Sequence, residues 1–139
     1  MRAFIGERFC SQVALTPASV AAFSAAAGDV NPIHFDANFA ATTRYGRIIA
    51  SGTHTSALLL GLTATHFSKR GSVVGLEFTV TFRRAVFADE TVRIEWDVIK
   101  VTPNAKLKGE IVDMLGRLVC ADGVAAVEAK GRVLVTEQL

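Results

Sequence analysis

The hydrophobic and polar positions of this chain change period along its length, and each change marks an element. Glu7 to Leu15 reads as a first extended strand. Thr16-Pro17 then supplies a helix N-cap and a proline at the first helical position, and Val20, Phe23, Ser24 and Ala27 hold a helical spacing until Gly28 stops it. Asp36 caps a short helix through Ala41. Arg44-Tyr45-Gly46-Arg47 is a loop, and Ile48-Ile49-Ala50 is a short extended piece. From about Gly52 to Phe67 a helix is predicted with apolar residues on most of its faces (Ala57, Leu58, Leu59, Leu60, Leu62, Ala64), which places it in the interior. Gly61 in its middle costs about 1 kcal/mol in propensity relative to alanine. Close contact with a neighbouring backbone is the expected compensation.

The remainder has a period of two. Val74, Leu76, Phe78, Val80 and Phe82 alternate with Gly75, Glu77, Thr79, Thr81 and Arg83, so the first set is expected to share one face. Thr91 to Val101 alternates again, with Val92, Ile94, Trp96 and Val98 on one side. Lys108 to Cys120 and Val124 to Val135 complete the set, separated by the Asp122-Gly123 turn signal. One buried helix and about five antiparallel strands, most of them after it, predict an α+β fold with a sheet wrapped around a long central helix. No linker, repeat or low-complexity stretch divides residues 1–139. They read as a single domain, long enough to bury a core without metals or disulfides.

Composition removes several function classes. Half of the residues are hydrophobic and 20% are charged, which argues against disorder. A net charge of +2, with the basic residues spread along the chain, argues against a nucleic-acid stripe. Cys10 and Cys120 match neither a disulfide framework nor a metal spacing, and both are expected as reduced, buried thiols in strands. The first eight residues reach a glycine and charges before an apolar region forms, so no signal peptide is expected. The longest apolar run, Ala57 to Leu62, falls far short of the ~20 residues that span a bilayer. A cytoplasmic protein with no membrane or nucleic-acid partner is the expectation.

The candidate chemistry lies in Gly28-Asp29-Val30-Asn31-Pro32-Ile33-His34. A carboxylate and an imidazole stand five residues apart in a loop that Pro32 keeps out of an α-helix by pushing Asn31 away from the α region. Such a turn can fold back and bring Asp29 and His34 to one point, as acid–base chemistry at a single water requires. Ala50-Ser51-Gly52 opens the long apolar helix, and a helix N-terminus attracts negative charge. Taken alone, Asp-Val-Asn-Pro is equally a turn signal, and Ser51-Gly52 equally a helix cap with a small neighbour.

The run from Ala26 to Asp36, then Phe39-Ala40, Tyr45-Gly46 and Ile48-Ile49-Ala50-Ser51-Gly52, resembles the MaoC-like dehydratases and (R)-specific enoyl-CoA hydratases, enzymes of the hot-dog fold. The likeness continues through Gly71-Ser72 and the strand Phe78 to Phe87. Its most specific part is Gly-Asp-x-Asn-Pro-x-His. The resemblance implies a hydro-lyase that interconverts trans-2-enoyl and (R)-3-hydroxyacyl thioesters of coenzyme A or acyl-carrier protein. It assigns Asp29 and His34 to the water and Gly52 N–H to the thioester oxygen. Oriented donors of that kind stabilise an enolate-like state by roughly 3–4 kcal/mol each. Asn31 would brace the loop or contact the water. No metal or organic cofactor is implied, and a homodimer is.

The chain departs from the commonest pattern at Ser51, where many relatives carry a histidine, and continues Thr53-His54-Thr55. Ser51 and His54 are therefore candidate substrate-binding residues. A core or dimer-interface position is the alternative for His54, and His66 is expected to interact with the helix dipole. Arg44, Lys69, Arg70, Arg83 and Arg84 are candidates for the carrier phosphates, with a solvated face as the alternative for each. Two other functions compete. A non-catalytic acyl-CoA-binding subunit would not need His34, and a thioesterase would call for an acidic residue in the central helix, which has none from Gly52 to Phe67.

Overall fold

Short-range side-chain signals set the element boundaries. The computed structural model describes residues 2–137. Its elements are β1 (Arg8–Ala14), α1 (Pro17–Ala26), a 3₁₀ turn (Pro32–His34), α2 (Ala37–Thr42), α3 (Gly52–Phe67), β2 (Ser72–Phe82), β3 (Thr91–Asn104), β4 (Gly109–Val119) and β5 (Ala125–Thr136). Thr16 Oγ1 accepts from the Ser19 N–H at 3.0 Å while Ser19 Oγ accepts from the Thr16 N–H at 3.0 Å, a reciprocal capping box at the start of α1. Asp36 Oδ1 accepts from the N–H groups of Asn38 and Phe39 to open α2.

The five strands form one antiparallel sheet in the order β1-β3-β4-β5-β2, so β1 and β2 are its edges. α3 lies against the sheet, and Trp96 on β3 fixes it there. The indole is 1% exposed, and its Nε1–H donates to the Leu59 carbonyl at 2.9 Å. The inward residues of β3 are the expected Val92, Ile94, Trp96 and Val98, and they join Leu59, Phe67, Val112, Met114, Leu118, Val133 and Val135 in the core.

Several expectations are corrected. β2 does not keep one face: its pairing with β5 jumps between Gly75 and Glu77, leaving Leu76 as the extra residue of a bulge. The phase flips there, so Val73, Phe78 and Val80 pack on the core while Val74 and Leu76 are about half exposed; Phe82, in phase with Phe78 and Val80, is half exposed at the strand's end, where its ring meets Gly52. α3 buries a stripe (Thr55, Leu59, Thr63, Phe67, with His54 beside it) and leaves Leu58, Leu60 and Leu62 half-buried, because the sheet covers one side of the helix only. Gly61 has no contact: a Cβ built there meets nothing within 4 Å. Cys10 is exposed, since β1 alternation turns Phe9 inward; Cys120 is buried as expected.

His66 engages a carboxylate at the end of α3. Its Nε2 lies 2.5 Å from Glu7 Oε2, its ring stacks on Phe9, and Arg70 donates to both Glu7 oxygens at 2.9 and 2.5 Å. Glu7 is 3% exposed, so this cluster ties the N-terminal segment to the end of the central helix.

Candidate active site

The loop after α1 is built by its own polar groups. Gly28 takes φ +76°, a left-handed conformation that a side chain would strain, and lets the chain turn out of the helix. The Asp29 N–H donates back to the Ser24 carbonyl at 2.8 Å. Asp29 Oδ1 accepts from the Asn31 N–H at 3.0 Å, and Asn31 Oδ1 accepts from the Ile33 N–H at 3.3 Å. Asn31 sits in an extended conformation (φ −61°, ψ 119°), and Pro32 opens a single 3₁₀ turn that ends on His34. The segment is thus non-α as expected, with one tight turn inside it. Asn31 Oδ1, through the Ile33 N–H, ties the loop to that turn.

That loop brings Asp29 and His34 together. Asp29 Oδ2 lies 3.4 Å from His34 Nε2, with the imidazole almost fully buried and the carboxylate partly exposed. His34 Nδ1 is 2.7 Å from the Ile49 carbonyl, which only accepts, so the Nδ1 proton is fixed there. In neutral His34 the Nε2 lone pair then faces a carboxylate oxygen. Two acceptors this close can be satisfied together by a molecule that offers two hydrogens, and water is the smallest such molecule.

Ser51 Oγ accepts from the His54 N–H at 3.0 Å and caps α3, and Ser51 is 2% exposed. The N–H groups of Gly52 and Thr53, in the first turn, find no acceptor among the described residues. A cavity of about 440 Å³ opens at this helix end, with Gly52, Thr55, Ile49, Phe82 and Arg84 among its lining. Gly52 is needed for the close approach of Phe82: a Cβ there would stand 2.9 Å from Cε1 and 3.0 Å from Cζ of that ring.

Asp29 and His34 do not line this cavity. Ile49 joins the two regions, because its carbonyl holds His34 while the residue itself lines the cavity. Ile49 and Gly52 are three residues apart, which limits their separation to roughly 11 Å. The pair and the helix end are therefore linked through one short segment.

His54 is 6% exposed and its ring stacks on Phe23, with centroids 4.4 Å apart. Burial pushes its pKa below the ordinary histidine value, so the ring is held neutral. Its Nδ1 and Ser24 Oγ are buried without a hydrogen-bond partner among the described residues. No group of three or more His, Cys, Asp and Glu side chains comes together as a metal-ligand set among those residues. Two neighbours of the site, the Ile49 carbonyl and Phe82, carry no signal in the sequence. A carbonyl is common to every residue, and Phe82 lay within a regular alternation that pointed it at the core.

The family model described as MaoC like domain matches residues 5–116. An (R)-specific enoyl-CoA hydratase of Aeromonas caviae is 38% identical over 81 residues, which span 58% of this chain and 60% of the relative. A 3-hydroxybutyryl-CoA dehydratase of Methylorubrum extorquens is 30% identical over 92 residues, 66% of this chain and 58% of that one. The chain thus matches about three fifths of the length of these curated relatives. Among solved structures, the unliganded R-hydratase PhaJ1 of Pseudomonas aeruginosa superposes with a TM-score of 0.87 at 27% identity, covering 97% of this chain and 83% of that one. The (R)-hydratase of Aeromonas caviae involved in PHA biosynthesis gives 0.85 at 28% identity, over 94% of this chain and 96% of its own. The architecture is the hot-dog fold.

Proposed function

The chain belongs to the MaoC-like domain family, and from that premise we propose that it is a hydro-lyase acting on trans-2-enoyl thioesters. Residues 1–139 act as one hot-dog domain that adds water to the enoyl group to give the (R)-3-hydroxyacyl thioester, or removes it in reverse. The observation that carries this reading is the Asp29–His34 pair at 3.4 Å, with the His34 Nδ1 proton tied to the Ile49 carbonyl. Together with the relatives' names it supports water as the group held and a conjugated thioester as its target.

Water held between Asp29 Oδ2 and His34 Nε2 bonds through oxygen to C3 and gives one proton to this pair as general base. The C2=C3 electrons move toward the thioester carbonyl, whose oxygen gains negative charge, and Gly52 N–H at the start of α3 stabilises it. The proton held by the pair then passes to C2, leaving OH on C3, H on C2 and the pair in its starting state. Asn31 braces the loop. Ser51 keeps the Gly52 turn in place through its cap, and His54 packs behind that turn beside the acyl group.

The working form is a homodimer. The half-exposed apolar side of α3 and the exposed Val74 and Leu76 on edge strand β2 support a second copy as their cover. Sedimentation at micromolar concentration is expected to give a dimer, and a stable monomer would contradict it. No helix of the described residues is long and apolar enough to cross a membrane. The free thiols Cys10 and Cys120 support a reducing, cytoplasmic site of action.

The direct test follows loss of enoyl absorbance over a panel of enoyl-CoAs from short to long, beginning with crotonyl-CoA, with chiral analysis of the product. Turnover to the (R)-alcohol is expected. No turnover across the panel, with acyl-CoA still bound, would instead identify a binding subunit.

A further inference from the structure

We infer that Arg44, Arg83 and Arg84 form the subsite for a phosphate of the thioester's phosphopantetheine carrier; the identity of that anion rests on the hydro-lyase reading. Sequence alone offered five basic residues for such a contact. All three of these arginines line the cavity that Gly52 opens into, and no carboxylate lines it. Four other surface cavities each include at least one carboxylate, from Glu77 and Asp113, Glu137, Glu128, or Glu95 and Asp97. The Gly52 cavity is thus lined by cations without carboxylates; Arg83 and Arg84 each meet a carboxylate outside the lining, so the surplus positive charge is that of Arg44.

The donors there are available. Arg44 is held by Tyr45, donating to its hydroxyl at 2.9 Å with the guanidinium 5.0 Å from the ring centroid, and has no acidic partner among the described residues. Arg84 meets Asp122 at 2.7 Å and Arg83 meets Glu128 at 3.2 Å. Both are exposed pairs, and such pairs exchange partners readily. A guanidinium has five N–H donors in a planar fork, so one carboxylate contact leaves donors that fit phosphate oxygens. Lys69 and Arg70 lie at the far end of α3, a 16-residue helix about 24 Å long, and Arg70 is committed to Glu7. The cavity therefore has a helix end suited to the thioester oxygen and a basic rim suited to the carrier's phosphate.

Titration calorimetry with free coenzyme A, phosphopantetheine and phosphate-free pantetheine tests this without turnover. The wild type is expected to bind the phosphate-bearing ligands more tightly than pantetheine. R44Q and R84Q should each reduce that preference about five- to tenfold, as expected for loss of one charge-assisted phosphate contact. R44K should retain more of it than R44Q. Phosphopantetheine bound as well as coenzyme A assigns the site to the phosphate shared with acyl-carrier protein. Preference for coenzyme A alone assigns it to the nucleotide's phosphates. Equal binding of all three ligands, or variants with the wild-type preference, would overturn the proposal. If no enoyl thioester is turned over, the hydro-lyase reading fails by itself, because the calorimetry does not depend on turnover.

Discussion

Asp29→Asn tests the proposed water-holding role of the pair with little disturbance to its frame. The amide keeps an oxygen where Oδ1 accepts from the Asn31 N–H at 3.0 Å, so the loop retains its internal bond. Its NH2 takes the place of Oδ2, 3.4 Å from His34 Nε2, and donates to that nitrogen. A site of two acceptors becomes an amide and an imidazole satisfied by each other, and water loses both partners. A positioned acid–base group contributes roughly 10²–10⁴-fold, and at 1.36 kcal/mol per decade that is about 3–5.5 kcal/mol of barrier. We expect kcat for crotonyl-CoA hydration to fall by the upper half of that range. The melting temperature should move by only a few degrees, since Asp29 is partly exposed and its backbone contact survives. The double variant D29N/H34A should lose little more than the worse single one, because groups that act as a unit are not additive. A D29N enzyme that melts normally and keeps kcat within tenfold of wild type would refute the assignment.

Three further outcomes follow from the packing. Gly52→Ala places a Cβ 2.9 Å from the Phe82 ring, and because Phe82 is 55% exposed the ring swings aside; stability should change little while kcat/KM drops. Adding Phe82→Ala should restore much of it, and a double variant as slow as G52A would rule out the steric account. Trp96→Phe removes the indole donor to the Leu59 carbonyl and leaves a void, so denaturant unfolding should register a loss of about 2–4 kcal/mol, whereas under 1 would show that this tie is not what holds α3. Burial alone would raise the pKa of Glu7, but bonds from Arg70, His66 and the Phe4 N–H, with the Arg70 charge, outweigh it and hold the carboxyl below its ordinary value. A depressed folded pKa stabilises above the unfolded value, about 4.3, and that contribution is lost as pH falls from there through the folded value. Wild-type melting should therefore decline more steeply than that of Glu7→Gln below about pH 4.5, and parallel curves would exclude this linkage.

What the sequence disclosed is what short-range patterns carry. Thr16, Asp36 and Ser51 announce their helices because each side chain caps a turn of its own, and each does so in the fold. Asp29 and His34 were legible because the turn that joins them is written within six residues. The bulge at Leu76 was not, since a period of two runs through it unbroken and only pairing with β5 reveals the extra residue. The one-sided cover of α3 is hidden from the sequence for a related reason. Apolar residues on many faces state that a helix needs covering, and they do not state which part of the cover belongs to the same chain. The Ile49 carbonyl was invisible because every residue offers that group, and only the fold decides which one meets an imidazole.

Both halves of the proposed site hang on the backbone of residues 48–52. The segment is pinned to residues 86–88: Ala50 N–H donates to the Val86 carbonyl at 2.8 Å, Ala88 N–H donates to the Ile48 carbonyl at 3.0 Å, and Ile49 bridges Phe87. Val86 and Ala88 are 3% and 2% exposed, so these bonds are sheltered by the core. From this strip the Ile49 carbonyl fixes the tautomer of His34 on one side, while the chain enters α3 and presents Gly52 N–H on the other. The side chain of residue 49 matters less to the chemistry than the path of its backbone. A substitution that loosens the 86–88 strap would release the His34 proton and tilt the helix end together. Acid–base work and oxyanion stabilisation would then fail as one, although no residue of the pair had been touched.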